Sequence, residues 1–396
     1  MTTGMALQGI RVLDLGQIYA GPYAGFLLAM AGADVIKIEP PQGEFLRARA
    51  AVSGGIIPFA MLNTNKRSAT LNLKHGRGRE LLLRMVRDAD ILLENFAAGT
   101  LGRLGLSWDV LHAANPRLIY ASATGYGRSG PYRDYPAMDL TIQAMAGVMS
   151  VTGFPDRPPV KAGPAIVDYM GGVNLYAAIM TALFQRERTG RGQQVEVSLQ
   201  EAIYPTLSSN LGLLFAGKGT QRTGNRHGGL ASSPYNVYPT SDGYIAIICV
   251  SDLQWQTLTK VMGRPDLPND PRFAALKDRV RNMDQIDAII GAWTLTLTKE
   301  EAFRRLISED VPSAPVRDLD EVINDQHMHE RGMLHHVDHP QFGKLVLPSS
   351  PLKLHDAPEL PRQESAALGT HNTQVYETWL GLSRAETDAL KSEGVI

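Results

Sequence analysis

Short apolar runs alternate with amphipathic stretches through the first half of the chain. IRVLDL (10–15), DVIKIE (34–39), DILLENF (90–96) and LIYASATGY (118–126) read as buried strands. Between them PYAGFLLAMAGA (22–33), GRELLLRMVRDA (78–89) and SWDVLHAANP (107–116) carry helical spacing. This alternation predicts an α/β fold built on a Rossmann-like parallel sheet with helices on both faces. Ligands of such sheets bind beyond the carboxyl ends of the strands, which places interest on 16–21, 39–43, 95–103 and 125–130. From about Thr223 the pattern gives way to TGNRHGGLASSPYNVYPTSDG, then a strand, YIAIICV, and helical segments to about Asp325, so a domain boundary is expected there.

The stretch PPVKAGPAIVDYMGG (158–172) sets one carboxylate, Asp168, between small or apolar residues and a glycine pair. Met170, Val173, Ala177, Met180 and Phe184 then recur at three- and four-residue steps, and TGRG (189–192) supplies a terminating glycine. A helix is therefore expected to start near Asp168, with the carboxylate at or beside its N-cap. There it would accept backbone N–H bonds and feel the helix dipole, each worth on the order of 0.5–2 kcal/mol, and so stay ionised. Two roles follow equally from that placement, a structural cap and a carboxylate nucleophile. Gly171 and Gly172 each lower helix propensity by about 1 kcal/mol relative to alanine, a cost that close approach of a ligand or another backbone would justify.

Composition narrows the partners. At 396 residues the chain has room for two domains. Its 39 Lys plus Arg against 40 Asp plus Glu give a net charge of −1, which argues against nucleic acid or an anionic membrane as partner. One cysteine, Cys249, is expected to be buried in the YIAIICV strand and fits a reducing compartment. The N-terminus lacks a secretory pattern, and no apolar run is read as reaching the roughly 18 residues of a membrane helix, so a cytoplasmic location is expected.

Several motifs are excluded on spacing. GQIYAG (16–21) followed by Glu39 imitates a dinucleotide site but lacks G-x-G-x-x-G, and no Walker A sequence or G-x-S-x-G elbow occurs. HMHERGMLHHVDHP (327–340) is rich in histidine without metalloprotease spacing; it reads as a solvated helix end and turn, with no metal assigned. Lys66, Arg67 and Lys74 surround a strand-like ATLNL, with Arg77, Arg79 and Arg103 as further cations. That cluster suits either a polyphosphate or a solvated basic face.

Six segments in order resemble one known family. They are LDLGQIYAGPYAGFLLAMAGADVIKIEPP, LNTNKRSATLNLK, ADILLENFAAGTLGRLGLSW, NPRLIYASATGYGRSGPY, the stretch around Asp168, and ALFQRERTGRGQQVEVSLQEA. Together the chain resembles the class III coenzyme A transferases, the CaiB/BaiF family. The resemblance implies a large Rossmann-like CoA-binding domain (1–205 with 335–396), a smaller α+β domain (225–330) and linkers at 206–224 and 331–334. It also implies a homodimer of interlocked rings. By position Asp168 matches the catalytic aspartate of the family. Tyr19, Ala20, Leu71, Asn72, Leu73, Lys74, Asn95, Phe96 and Arg103 match positions that contact coenzyme A. On the substrate side stand Gln17, Met138 and the loop residues His227, Gly228 and Gly229. Coenzyme A thioesters would be substrates, with no permanently bound cofactor, and a small carboxylic acid would be the acceptor. Departures matter too. Pro40 stands where an arginine binds coenzyme A in oxalate-using members, and Pro136 with Met138 replace a lysine and tyrosine there, which disfavours oxalate.

The implied chemistry is attack by Asp168 on a donor thioester, giving a mixed anhydride and then an aspartyl-CoA thioester. Two alternatives stand beside it. An acyl-CoA racemase of the same superfamily would pair the aspartate with a histidine, but the chain reads Met138-Asp139 where racemases read His-Asp. A non-catalytic CoA-binding protein would need Asp168 only as a cap. Met138, Met145 and Met149 hint at an adaptable acyl pocket, although methionines at such spacing are more often core.

Overall fold

The computed structural model describes residues 4–49, 56–340 and 342–396. Its central sheet contains β1 (Arg11–Asp14), β2 (Asp34–Glu39), β3 (Arg67–Thr70), β4 (Ile91–Glu94), β5 (Ile119–Thr124) and β6 (Gln194–Ser198). All pairings are parallel, in the order β3-β2-β1-β4-β5-β6. This is the doubly wound order, and the direction of winding reverses between β1 and β4. Both faces are covered, so β4 and β5 are buried at every position, as their continuous apolar runs predict.

Two compact units divide the chain. The first comprises Met1–Ala146, Pro164–Pro205 and Asp325–Ile396; the second comprises Gly147–Gly163 and Thr206–Asn324. Residues 147–163 thus group with the smaller unit, unlike the ranges expected from sequence. Arg222 explains why: its guanidinium donates to the carbonyls of Phe154, Pro155 and Arg157, and Gly224 N donates to Gly153 O.

In the second unit β7 (Tyr235–Pro239), β8 (Tyr244–Ile248) and β9 (Ser313–Pro315) form an antiparallel sheet. It packs with helices Asp252–Val261, Met283–Thr294 and Lys299–Ile307 around Trp255, Phe273 and Ile290. Cys249 follows β8 immediately and is fully buried. Back in the first unit the C-terminal segment lies against β3, where Tyr376 Oη donates to Thr70 O at 2.6 Å and Asn72 N to Val395 O.

The histidine-rich run is not a solvated turn. After a short helix, Gln326–Glu330, it forms β10 (Leu334–His339), paired antiparallel with β11 (Gly343–Pro348). His339 is buried with Nε2 3.0 Å from Ser365 Oγ, and His335 Nε2 lies 2.8 Å from Ser349 Oγ. Leu334 and Val337 stand three residues apart, on opposite faces of the strand, so no period-2 apolar pattern marks it in the sequence.

A long helix, Ile166–Thr189, ends at Gly190 with φ 69°, as the TGRG signal predicts. Its 18-residue window of mean hydropathy 1.3 corrects the expectation that no stretch here has the length and composition to cross a membrane. Within the first unit this helix packs along the first helix, Ala20–Met30, and on β5 and β6. It is also tied down by a polar residue. Buried Arg186 donates to Arg117 O and pairs with Asp90 at 2.8 Å.

Beneath the β1 turn lies a buried ionic cluster. Lys66 Nζ pairs with Asp14 Oδ2 at 2.7 Å, both side chains fully enclosed, and donates to Pro22 O. Burial, opposed by Asp14, lowers the lysine pKa to about 8. Lys66 is therefore neither a phosphate ligand nor part of a solvated basic face, and Arg67 is engaged by Asp34. Removing one partner strands a charge in the core. Lys66→Met is expected to lower the unfolding free energy by about 3–5 kcal/mol, and adding Asp14→Asn to recover about half of that, as read from urea denaturation midpoints.

Candidate active site

The long helix approaches β6, a parallel strand, from the opposite direction, so its N-terminus lies at the carboxyl edge of the sheet. The first helix starts at that edge too, directly after β1. The two N-termini meet closely. A Cβ on Gly172 would stand 2.8 Å from Ala20 O, and one on Gly171 would stand 2.1 Å from Leu199 Cδ2. The glycine pair is thus accounted for by packing against the protein itself.

Asp168 is the third residue of the long helix, whose N-cap is Ala165. Of the two roles that the sequence left equally open for Asp168, the structural cap is not the one seen. Asp139, at the start of the helix Asp139–Met145, accepts the N–H bonds of Val167 (2.9 Å) and Asp168 (3.2 Å) through Oδ2. Its Oδ1 takes a bond from the buried Gln143 amide at 2.5 Å. Among the described residues the Asp168 carboxylate has no hydrogen-bond donor. Burial first, and the Asp139 charge second, push its pKa up from 3.8 to about 7. It is half-buried and reachable, poised between its two protonation states near neutral pH.

Three tyrosines cluster at the starts of the two helices, packed on Leu46, Phe59 and Leu62. Tyr169 stands edge-on to Tyr23 with centroids 4.8 Å apart, and Tyr19 lies 6.0 Å from Tyr169. Burial raises the pKa of Tyr23 and Tyr169, so both phenols stay protonated. Tyr23, Tyr169 and Asp139 escaped sequence reasoning. Only the helix-start position of Asp139 in the sequence could have signalled a cap, and its target lies 28 residues away.

At the β1–β4 reversal the turn residues are gripped from below. Asn95 Oδ1 accepts from Gln17 N at 2.7 Å and Asn95 Nδ2 donates to Gln17 O at 2.9 Å. Gly16 N donates to Asp14 Oδ1, buried Lys37 donates to Gly16 O, and Ile18 N donates to Glu44 Oε2 at 2.9 Å. Ile18 has φ 63°, an unfavourable conformation for a β-branched residue, so these bonds hold the turn in a conformation the free chain would leave. Asn95 therefore serves as a clamp on the Gln17 backbone. Beside it Phe96 N donates to Glu94, whose other oxygen accepts from Tyr120 Oη.

The remaining expected CoA contacts form a second group on the first unit. Leu71 is buried, leaving only its backbone to a ligand, and Asn72 is engaged with Lys74 N and Gly394 O. Lys74 is exposed. Arg79 donates to the carbonyls of Leu73 and Lys74, and with Arg103 it borders a 520 Å³ pocket. Arg77 instead pairs with Glu393.

Met138 and Met145 are exposed, which removes the core reading for both. His227, Gly228 and Gly229 belong to the second unit. There His227 Nδ1 accepts from Gly229 N at 3.1 Å, and neighbouring Arg226 is pinned by Asp284 and Asp287. Among the described residues no group of three or more His, Cys, Asp or Glu is placed to hold a metal ion.

The family described as CoA-transferase family III matches residues 7–372. Over its whole length the chain is 39% identical to all of a formyl-CoA:oxalate CoA-transferase from Streptomyces coelicolor. It is 35% identical to a succinyl-CoA–D-citramalate CoA-transferase from Chloroflexus aurantiacus, covering 98% of each. A crystal structure of a CaiB/BaiF family protein from Brucella suis superposes with a TM-score of 0.83 at 35% identity, covering 95% of this chain and 100% of that one. With its doubly wound sheet in common with them, the chain belongs to CoA-transferase family III, enzymes that act on coenzyme A thioesters and carboxylic acids.

Proposed function

We propose that Asp168 is the nucleophile of a coenzyme A transfer that proceeds through covalent aspartyl intermediates. One observation carries this reading. A half-buried carboxylate without a hydrogen-bond donor, held at the carboxyl edge beside a preorganised turn, is a better nucleophile than a capped one. An oxygen of Asp168 attacks the thioester carbonyl, the C–S bond breaks, and the coenzyme A thiolate leaves a mixed anhydride. The thiolate then attacks the aspartyl carbonyl, expelling the donor carboxylate and forming aspartyl-CoA. The acceptor carboxylate displaces the thiolate from that thioester, and the thiolate attacks the acceptor acyl carbon, regenerating Asp168.

Exclusion of water from the site would protect intermediates that water would destroy. Gln17, Tyr19, Ala20 and Phe96 would border the pantetheine arm, and Lys74 with Arg103 the phosphates, where charge-assisted bonds are about twice as strong as neutral ones. His227, Gly228 and Gly229 would complete the substrate site in an interlocked homodimer. Reduced, buried Cys249 agrees with a cytoplasmic setting. Racemisation is disfavoured because a second base is missing. Met138 replaces the histidine, both buried phenols stay protonated, and both Asp139 oxygens are occupied by donors.

Exposed Met138 and Met145 favour an acceptor with an apolar portion over oxalate. A matrix of formyl-CoA and succinyl-CoA against oxalate, glutarate, D-citramalate and L-malate, read by mass spectrometry, tests that preference; oxalate as the fastest acceptor would reject it. Incubation with donor and hydroxylamine should place a hydroxamate on Asp168, absent from Asp168→Ala, and turnover by that variant at the wild-type rate would refute the assignment. Because attack needs the carboxylate, kcat/KM for the donor should rise with pH to a plateau above about 7. Folding responds in the opposite sense. The folded state holds the Asp168 proton up to about 7 and the unfolded chain only to 3.8, so its contribution to stability falls between those pH values. Asp168→Asn should therefore match wild type near pH 4 and melt a few degrees higher at pH 8.

A further inference from the structure

We propose that Asp139 is a positioning residue for the transfer: by capping the helix that carries Asp168, it keeps the nucleophile free of hydrogen-bond donors. The inference rests on the assignment of Asp168 above and adds to it. The first turn of the Ile166–Thr189 helix offers backbone N–H groups that need acceptors, and its own N-cap residue, Ala165, has none in its side chain. Asp168, at the third helical position, is the nearest carboxylate in sequence and would serve. Asp139 Oδ2 takes two of those donors, at 2.9 and 3.2 Å, from a different helix. Gln143, fully buried one turn further along the Asp139–Met145 helix, fixes Oδ1 at 2.5 Å and so sets the orientation of the carboxylate.

The consequence is a division of labour between two carboxylates. One accepts three donors and caps the helix; the other keeps its lone pairs for an electrophile. A cap taken from within the helix would have satisfied the same N–H groups at the expense of nucleophilicity. The other ionisable groups around Asp168 do not substitute for Asp139. Tyr169 on the same helix and Tyr23 on the first helix stay protonated, and Tyr19 at the start of that helix is a phenol. Glu201 on the Leu199–Ile203 helix and Glu196 on β6 are exposed, the latter beside Arg128.

Two variants separate the cap from the charge. Asp139→Asn keeps an acceptor oxygen for Val167 and Asp168 while removing the charge; Asp139→Ala removes both. With the most active donor and acceptor pair of the matrix above, Asp139→Ala should lose about 10- to 100-fold in kcat with the donor KM within about threefold, as misplacement of a reacting group costs. Asp139→Asn should keep kcat within about fivefold. A second readout does not depend on turnover. A water-soluble carbodiimide with glycinamide labels protonated carboxyls, so labelling of the Asp168 peptide, followed against pH by mass spectrometry, reports its protonation. In wild type labelling should decline through about pH 7. In both variants the decline should move to lower pH, because the Asp139 charge is gone and, in the alanine variant, Asp168 is free to take the vacated donors.

An unchanged kcat and labelling profile in Asp139→Ala would overturn the proposal. So would an asparagine variant as impaired as the alanine one, since the charge and not the cap would then be what matters. Asp168→Ala, run in parallel, keeps the two readings distinct. Retained turnover there defeats the nucleophile assignment itself, whereas its loss alongside unaffected Asp139 variants defeats only the positioning role.

Discussion

A missing methyl group governs the geometry of the site. Gly172 carries no Cβ, and the carbonyl of Ala20 fills the space one would occupy. This contact lets the first turns of two helices, one following β1 and one preceding β6, come together at a single edge of the sheet. Any larger residue would separate them, costing typically 1–3 kcal/mol in strain and moving Asp168 away from the turn at Gln17–Tyr19. The helix propensity given up at Gly171 and Gly172 is thus exchanged for proximity between the Asp168 carboxylate and the edge at which a doubly wound sheet binds its ligands.

Around that contact, most polar groups are already committed. Asn95 holds Gln17 by both backbone groups, Glu44 holds Ile18, Lys37 holds Gly16, and Asp139 holds the start of the long helix. Each satisfies a backbone donor or acceptor that would otherwise be unpaired beside a partly dry site, where an unmade bond costs about 1–3 kcal/mol. Among the described residues the Asp168 carboxylate and the exposed Lys74 ammonium have no such duty. The strained conformation at Ile18 is sustained by this network, consistent with strain being kept where the surrounding structure over-determines it.

Four strands of the sheet, β1, β2, β4 and β5, were legible in the sequence because they are buried on both faces and mostly apolar, whereas β6, half-buried and carrying exposed Glu196, was not. Residues 34–39 were recovered as a strand end to end, and the glycine terminating the long helix was recovered from TGRG. Local patterns carry that kind of information. They do not carry which carboxylate caps which helix, since the bond from Val167 to Asp139 spans 28 residues and depends on the packing of two helices. Lys66 illustrates the same limit. Beside Arg67 and Lys74 it reads as part of a cationic cluster, yet it points inward to Asp14, a partner 52 residues earlier on another strand. The histidine run differs for another reason: its two apolar residues, Leu334 and Val337, are not at strand spacing, so no periodicity announces β10.

The position of Met138 shows how little separates two chemistries on this scaffold. Proton transfer at the carbon beside a thioester needs two bases on opposite faces of the substrate, and a carboxylate near pKa 7 could be one of them. With a thioether at position 138 and buried phenols that do not ionise, neither supplies the second base, which agrees with the proposal that Asp168 attacks the thioester carbonyl. The same raised pKa that would suit a base also suits a nucleophile, because a carboxylate that binds its proton firmly gives its electron pair readily to carbon. Burial produces that pKa, and the charge of Asp139, the residue after Met138, adds to it.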